Sequence, residues 1–330
     1  MSRVSHDTLE KNYHLGRTSP EAESTMRVAA IQAAPVFLDS AATTDRALEF
    51  LRQAASGGAE LIAFPEVFIA GYPSWLRVPS IAANDALLKV GHIAYLRSAI
   101  AANGPELAAI WSESAKLGVF VYVGFLERTA SGGSVYASLA AIHPDKGIVG
   151  VHRKLKPTFH ERLIWSDGDG RGLEVHDFKG LRAGALNCYE NWLPLARQAL
   201  YAQGEQLHVA VWPGDLVVTE NISQFIAMEG RVYVISASGL LRATDIPDAF
   251  PLREHIVTDR RVINDGGSMI VAPGGLIIAG PVIGEEKILY ADIDVEIVMG
   301  EHLKLDPAGH YSRDDVLRLK VNRDRYNPSD

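Results

Sequence analysis

A single cysteine, Cys188, among 330 residues excludes an intrachain disulfide and any thiolate metal cluster. No stretch of about 18 apolar residues is available to cross a membrane. Positive charge is short. The 32 lysines and arginines face 40 aspartates and glutamates, and the net charge of −8 disfavours nucleic acid or an acidic membrane surface as a partner. The eleven histidines show no HExxH or other paired metal spacing, so no metal is expected. No P-loop or GxGxxG segment is present, and no organic cofactor is expected either. Residues 1–25 are polar and lack the hydrophobic run of a secretory signal, which makes a cytoplasmic protein the expectation.

What is present is ordinary for a globular chain, with 47% apolar and 22% charged side chains. Apolar runs and amphipathic stretches alternate from Met26 onward. Met26–Ala34 reads as a buried strand. Thr44, Ala47, Leu48, Leu51, Ala54 and Ala55 follow helical spacing, with Asp39 or Ser40 as cap and Gly57-Gly58 as stop. Further strands are expected at 60–64, 119–127, 134–142, 148–153, 181–186, 209–212 and 232–236, and a closing meander over 267–292. Helices are expected over 85–117 with a break at Gly104-Pro105, from Leu193, and around Ser223–Gly230. With no linker, low-complexity run or repeat, one α/β domain is expected. The mix of hairpin and crossover connections favours an α-β-β-α sandwich over a doubly wound sheet.

Three strand ends carry candidate chemistry. Cys188 lies in LNCYENWLP, where an apolar strand meets a helix start marked by Pro194. It reads either as a packed core cysteine or as a nucleophile whose thiolate is favoured by backbone N–H groups and a positive helix end. Glu66, in FPEVFIAGYP, is a carboxylate inside an apolar stretch, which is costly unless it is paired, caps a turn or is catalytic. Lys154 and Lys156, in HRKLKPTFHER, read by themselves as a solvated charge run.

Taken together, FPEVFIAGYP, HRKLKPT with ER close behind, and LNCYEN resemble the three signature segments of the nitrilase (carbon–nitrogen hydrolase) superfamily, in the same order. The resemblance runs from Met26 to about Leu319. It leaves 1–25 as an N-terminal extension, 26–319 as the hydrolase domain and 320–330 as a C-terminal tail. Within the superfamily, KLKPT and the C-aromatic-EN segment resemble the nitrilase branch. The resemblance implies a Glu66-Lys154-Cys188 triad, with Glu161 as a second, supporting glutamate. Tyr189 stands where nitrilases usually have tryptophan, and the chain stops without the long tail that many nitrilases use in assembly.

The implied reaction converts an organic nitrile to its acid and ammonia through a thioimidate and a thioester on Cys188. Glu66 would carry the proton, Lys154 would stabilise developing charge and Glu161 would hold the ammonium. Amidase, carbamoyl hydrolase and cyanide hydrolase are the alternatives. Tyr72, Trp75, Tyr189, Trp192 and Trp212 are candidate pocket walls or ordinary core, and Tyr72, Tyr189, Trp192 and Trp212 are taken as substrate-binding. Glu190 completes Asn187-x-x-Glu190, close to a capping box, and reads as a helix cap more than as chemistry, although two residues after the nucleophile it lies near the pocket. A dimer is also implied, packed partly through the helix after Cys188, whose Leu193, Ala196, Ala199 and Leu200 form an apolar stripe.

Overall fold

Along β1 (Thr25–Gln32), Met26, Val28 and Ala30 point one way, Ala29 and Ile31 point the other, and all are buried. A strand buried on both faces must lie between two layers. In the computed structural model, which describes residues 25–130, 133–257 and 262–325, those layers are a second sheet and a set of helices. The first sheet places β13 (Lys287–Asp294), β1, β2 (Leu61–Ala63), β3 (Phe120–Arg128), β4 (Val135–His143) and β5 (Gly147–Arg153) in that order. The second places β10 (Leu240–Arg242), β11 (Val262–Val271), β9 (Tyr233–Ser238), β8 (Leu207–Trp212), β7 (Leu181–Asn187) and β6 (His176–Phe178), with β12 (Ile277–Ile283) added on β11. Each sheet has three parallel strands, β1–β2–β3 and β7–β8–β9, flanked by antiparallel ones.

Helices cover both outer faces. Ala47, Leu51 and Ala54 of α1 (Ser40–Ser56) and, beyond α2 (Asp85–Ser98), Leu107 and Ile110 of α3 (Pro105–Leu117) pack on Ile62, Val121 and Ala140 of the first sheet. Leu200 of α4 (Pro194–Tyr201) packs with Leu186, while Ile222 and Ile226 of α5 (Leu216–Gly230) pack with Ala210 and Trp212. The result is the expected α-β-β-α sandwich. A last helix, α6 (Val295–His302), follows β13.

Local chemistry sets the boundaries. Asp39 caps α1, its carboxylate accepting from the Ala42 N–H at 2.9 Å. The helical stretch expected over 85–117 is two helices with a wider gap, because Ile100 bridges to Glu127 of β3. Helix α5 begins seven residues earlier than expected, at Leu216 rather than Ser223. Val217 and Val218 of its first turn face outward, which breaks the apolar spacing. The apolar stripe after Cys188 also needs correction as an intermolecular face. Ala196, Ala199 and Leu200 are buried inside this chain, and Leu195 is the exposed apolar residue of that helix. The expected 1–25 extension lies outside the described residues up to residue 24, and the tail lies outside them from 326.

Candidate active site

Glu66, Lys154 and Cys188 each follow the end of a strand. Beyond β2, Phe64 donates its N–H to Tyr122 O at 2.8 Å, and the chain then turns through Pro65 and Glu66. This path exists because residue 124 is glycine. A Cβ there would stand 2.3 Å from Pro65 O and 2.4 Å from Val67 N. Glu66 is thereby held over the sheet with its side chain buried. Beyond β5, Lys154 donates its N–H to Ala137 O at 2.8 Å. The loop with Gly168 crosses behind it so closely that a Cβ would lie 2.3 Å from Arg153 O and 2.5 Å from Lys154 O.

Lys154 is 1% exposed, and its Nζ donates to Glu66 Oε1 at 2.8 Å and to Glu161 Oε2 at 2.7 Å. The indole of Trp165 lies 5.1 Å from the ammonium. Lys156, by contrast, is 53% exposed and pairs with Asp167 at the surface. Glu161 sits on the single turn Phe159–Leu163. Its carboxylate also accepts from the Thr158 N–H at 2.6 Å and the Tyr72 hydroxyl at 2.8 Å. It is both a turn cap and a lysine partner.

Cys188 follows β7 with φ of +49°, on a turn that continues to Trp192. Asn191 fixes this turn by donating its Nδ2 to Leu186 O at 3.2 Å and to Cys188 O at 2.9 Å. Behind Asn191, His208 Nε2 lies 2.8 Å from Asn191 Oδ1, and Glu205 Oε1 lies 3.0 Å from His208 Nδ1. Single donor atoms of Glu66, Glu161 and Cys188 all lie within 4.8 Å of one another, a grouping that could suit a metal. The cation already between the two carboxylates is the Lys154 ammonium, and a metal ion there would face its repulsion.

Burial sets the charge states. It works against the ammonium of Lys154, but the acidic groups that face it, Glu66 and Glu161 foremost among those ionised, outweigh it and hold the pKa well above the usual lysine value. Burial pushes Glu66 up to about 7 against the pull of Lys154, with Glu161 adding to the rise. Burial also pushes the Cys188 thiol up. Lys154 opposes this, Glu66 and Glu161 reinforce it, and the Tyr189 N–H opposes it more weakly. The expectation of a favoured thiolate is therefore corrected. The helix expected to supply a positive end is here a five-residue turn, too short to build a large dipole, and the surrounding carboxylates are negative.

A carbon–nitrogen hydrolase family model matches residues 27–299. The chain is 36% identical to an aliphatic nitrilase of Rhodococcus rhodochrous over 322 residues, covering 93% of this chain and 86% of that one. It is also 36% identical to Nitrilase 1 of Arabidopsis thaliana, covering 91% and 87%. A carbon–nitrogen hydrolase structure from Helicobacter pylori shares the fold with a TM-score of 0.68 at 19% identity, covering 90% of this chain and 99% of that one. The chain belongs to the carbon–nitrogen hydrolase family.

In this carbon–nitrogen hydrolase the four expected pocket aromatics lie in different places. Tyr72 is tied to Glu161 and meets Trp165 edge-on at 5.8 Å. Trp212 is 1% exposed, in the helix–sheet cluster against which Cys188 packs. Tyr189 and Trp192 are 45% and 44% exposed on the surface of the chain. Trp75 is core, packed against Tyr95, Phe37 and Phe250. His160 stacks on exposed Phe159. Sequence reasoning missed Trp165 and His152. A signal for His152 existed, since residues i and i+2 at a strand end share a face and Lys154 follows by two.

Proposed function

We propose that this hydrolase is a nitrilase converting an organic nitrile to its carboxylic acid and ammonia. The observation that carries the reading is the buried Glu66–Lys154–Glu161 cluster within reach of Cys188, on a chain that resembles nitrilases along nine-tenths of its length. Glu66 Oε2 is buried and makes no hydrogen bond to the protein, while Oε1 is held by Lys154. One oxygen is thus anchored and the other is left for proton transfer.

The thiol of Cys188 is the resting form, so attack requires a base, and ionised Glu66 is that base. Sulfur bonds to the nitrile carbon, the thiol proton passes through Glu66 to the nitrogen, and a thioimidate forms. Lys154 faces the developing negative charge with a fixed positive one. Water adds to the thioimidate carbon, a further proton reaches nitrogen, and ammonia leaves with cleavage of the carbon–nitrogen bond. A second water cleaves the thioester, which returns the thiol and releases the acid. The sum is one nitrile and two waters to one acid and one ammonia. An amide arises if the tetrahedral intermediate loses the thiol before ammonia.

A panel of aliphatic, aromatic and arylacetonitrile substrates and cyanide, each organic nitrile matched with its amide, tests the reading by ammonia release. Faster turnover of the amides would make the protein an amidase instead. We also propose self-association. Trp192 and Leu195 near the nucleophile turn and Val217, Phe225 and Met228 of α5 are exposed apolar side chains on neighbouring segments.

A further inference from the structure

Glu190 caps the nucleophile turn, as its place three residues after Asn187 suggests, but it does more than a cap requires. Its side chain is 0% exposed. One oxygen, Oε2, accepts from the Asn187 N–H at 2.9 Å, which is the capping bond. The other, Oε1, accepts a short hydrogen bond from the Leu155 N–H, which belongs to the opposite sheet's loop. His152 Nε2 lies 2.9 Å from Oε2 and 3.1 Å from Oε1, a third polar contact on the same carboxyl group.

These partners are adjacent to the reacting groups. Asn187 precedes Cys188 at the end of β7, and Leu155 follows Lys154 beyond β5. The two strands belong to different sheets, which meet largely through apolar side chains. Apolar contact is non-directional and leaves small sliding motions cheap. Reaction between a thiol on one sheet and a charge held on the other needs geometry within about 0.5 Å. A carboxylate bonded to Asn187 of one sheet and to Leu155 and His152 of the other supplies that direction.

We propose that Glu190 is a positioning residue that locks the nucleophile turn to the lysine-bearing loop. This uses the nitrilase reading only in the choice of substrate. Glu190→Gln tests it, because the amide nitrogen cannot accept and leaves one of the two N–H groups without its partner. Two rates are measured well below the variant's melting temperature, kcat on the best nitrile and alkylation of Cys188 by iodoacetamide. The kcat should fall at least ~30-fold with KM nearly unchanged, and alkylation should slow by about 10-fold, as expected for misplaced groups. Glu190→Asp keeps the charge but is one methylene too short to span both sheets, and it should lose rate similarly.

Wild-type kcat and alkylation in Glu190→Gln, with only a lowered melting temperature, would reduce Glu190 to a fold stabiliser and overturn the proposal. Recovery in Glu190→Asp would overturn it as well, by showing that charge and not reach matters. Should neither variant fold, hydrogen exchange in the wild-type protein decides. The Leu155 amide must be strongly protected, and rapid exchange there would sink the idea. If the wild type hydrolyses no nitrile, the nitrilase reading fails, while alkylation and exchange still test the lock.

Discussion

At the scale of single residues, desolvation decides which groups carry charge. Glu66 lies near pH 7 instead of the ordinary 4.5, so it is largely protonated below neutrality and ionised above it. A base must be ionised to take the thiol proton. We therefore predict that kcat/KM rises with pH and reaches half its maximum near pH 7. A profile already flat from pH 5.5 to 8 would remove Glu66 from this role. Lys154 stays charged across that range, since its pKa is raised, and it should add no alkaline limb. Lys154→Ala should lower turnover at least ~100-fold, as the loss of an oxyanion donor does. Lys156→Ala should change it only a few-fold, because that side chain is half exposed and paired at the surface. Steady-state rates with one nitrile check both, and a reversal of the two effects would refute the assignment. From sequence alone both lysines read as a wet charge run. Which one turns inward depends on the opposite sheet and on Gly168, neither of which is local information.

At the scale of elements, the site is a matter of how three strands end. Two of those ends were legible in the residues themselves, since Glu66 lies inside an apolar stretch and Cys188 lies where an apolar strand meets a helix start, whereas Lys154 stood out only through the family resemblance. The start of α5 was not legible, since outward Val217 and Val218 hide the helical period. The charge state of Cys188 was not legible either, because it depends on burial and on Lys154, Glu66 and Glu161, which distant parts of the chain supply. The close passage of Pro65–Val67 over Gly124 gives a prediction at this scale. Gly124→Ala forces backbone apart and should cost about 1–3 kcal/mol of stability, as overpacking commonly does. It should also reduce kcat by displacing Glu66. Urea unfolding with parallel activity measurements checks this, and unchanged values for both would mean the loop has room to move.

At the scale of the whole molecule, the layer order could be anticipated from the mix of hairpin and crossover connections, whereas the strand order could not. β13 returns to pair with β1 along its full length, Thr25 against Asp294 through Gln32 against Lys287. Such distant pairing is set by tertiary packing and not by local pattern. No helix among the described residues is long and apolar enough to cross a membrane. The exposed apolar residues near the nucleophile turn predict association into dimers or larger assemblies. Sedimentation at micromolar concentration should give species of at least twice the 35.9 kDa chain mass, and a single species at that mass would contradict it.

The central claim is that Cys188 carries the acyl group of a nitrile as a thioester. Rapid acid quenching during turnover of a slow nitrile, followed by peptide mass spectrometry, tests it most directly. The account predicts that the peptide containing Cys188 gains the mass of the substrate's acyl group, and that Cys188→Ala shows neither adduct nor ammonia. An active Cys188→Ala variant, or ammonia release with the acyl group found on another residue, would contradict it.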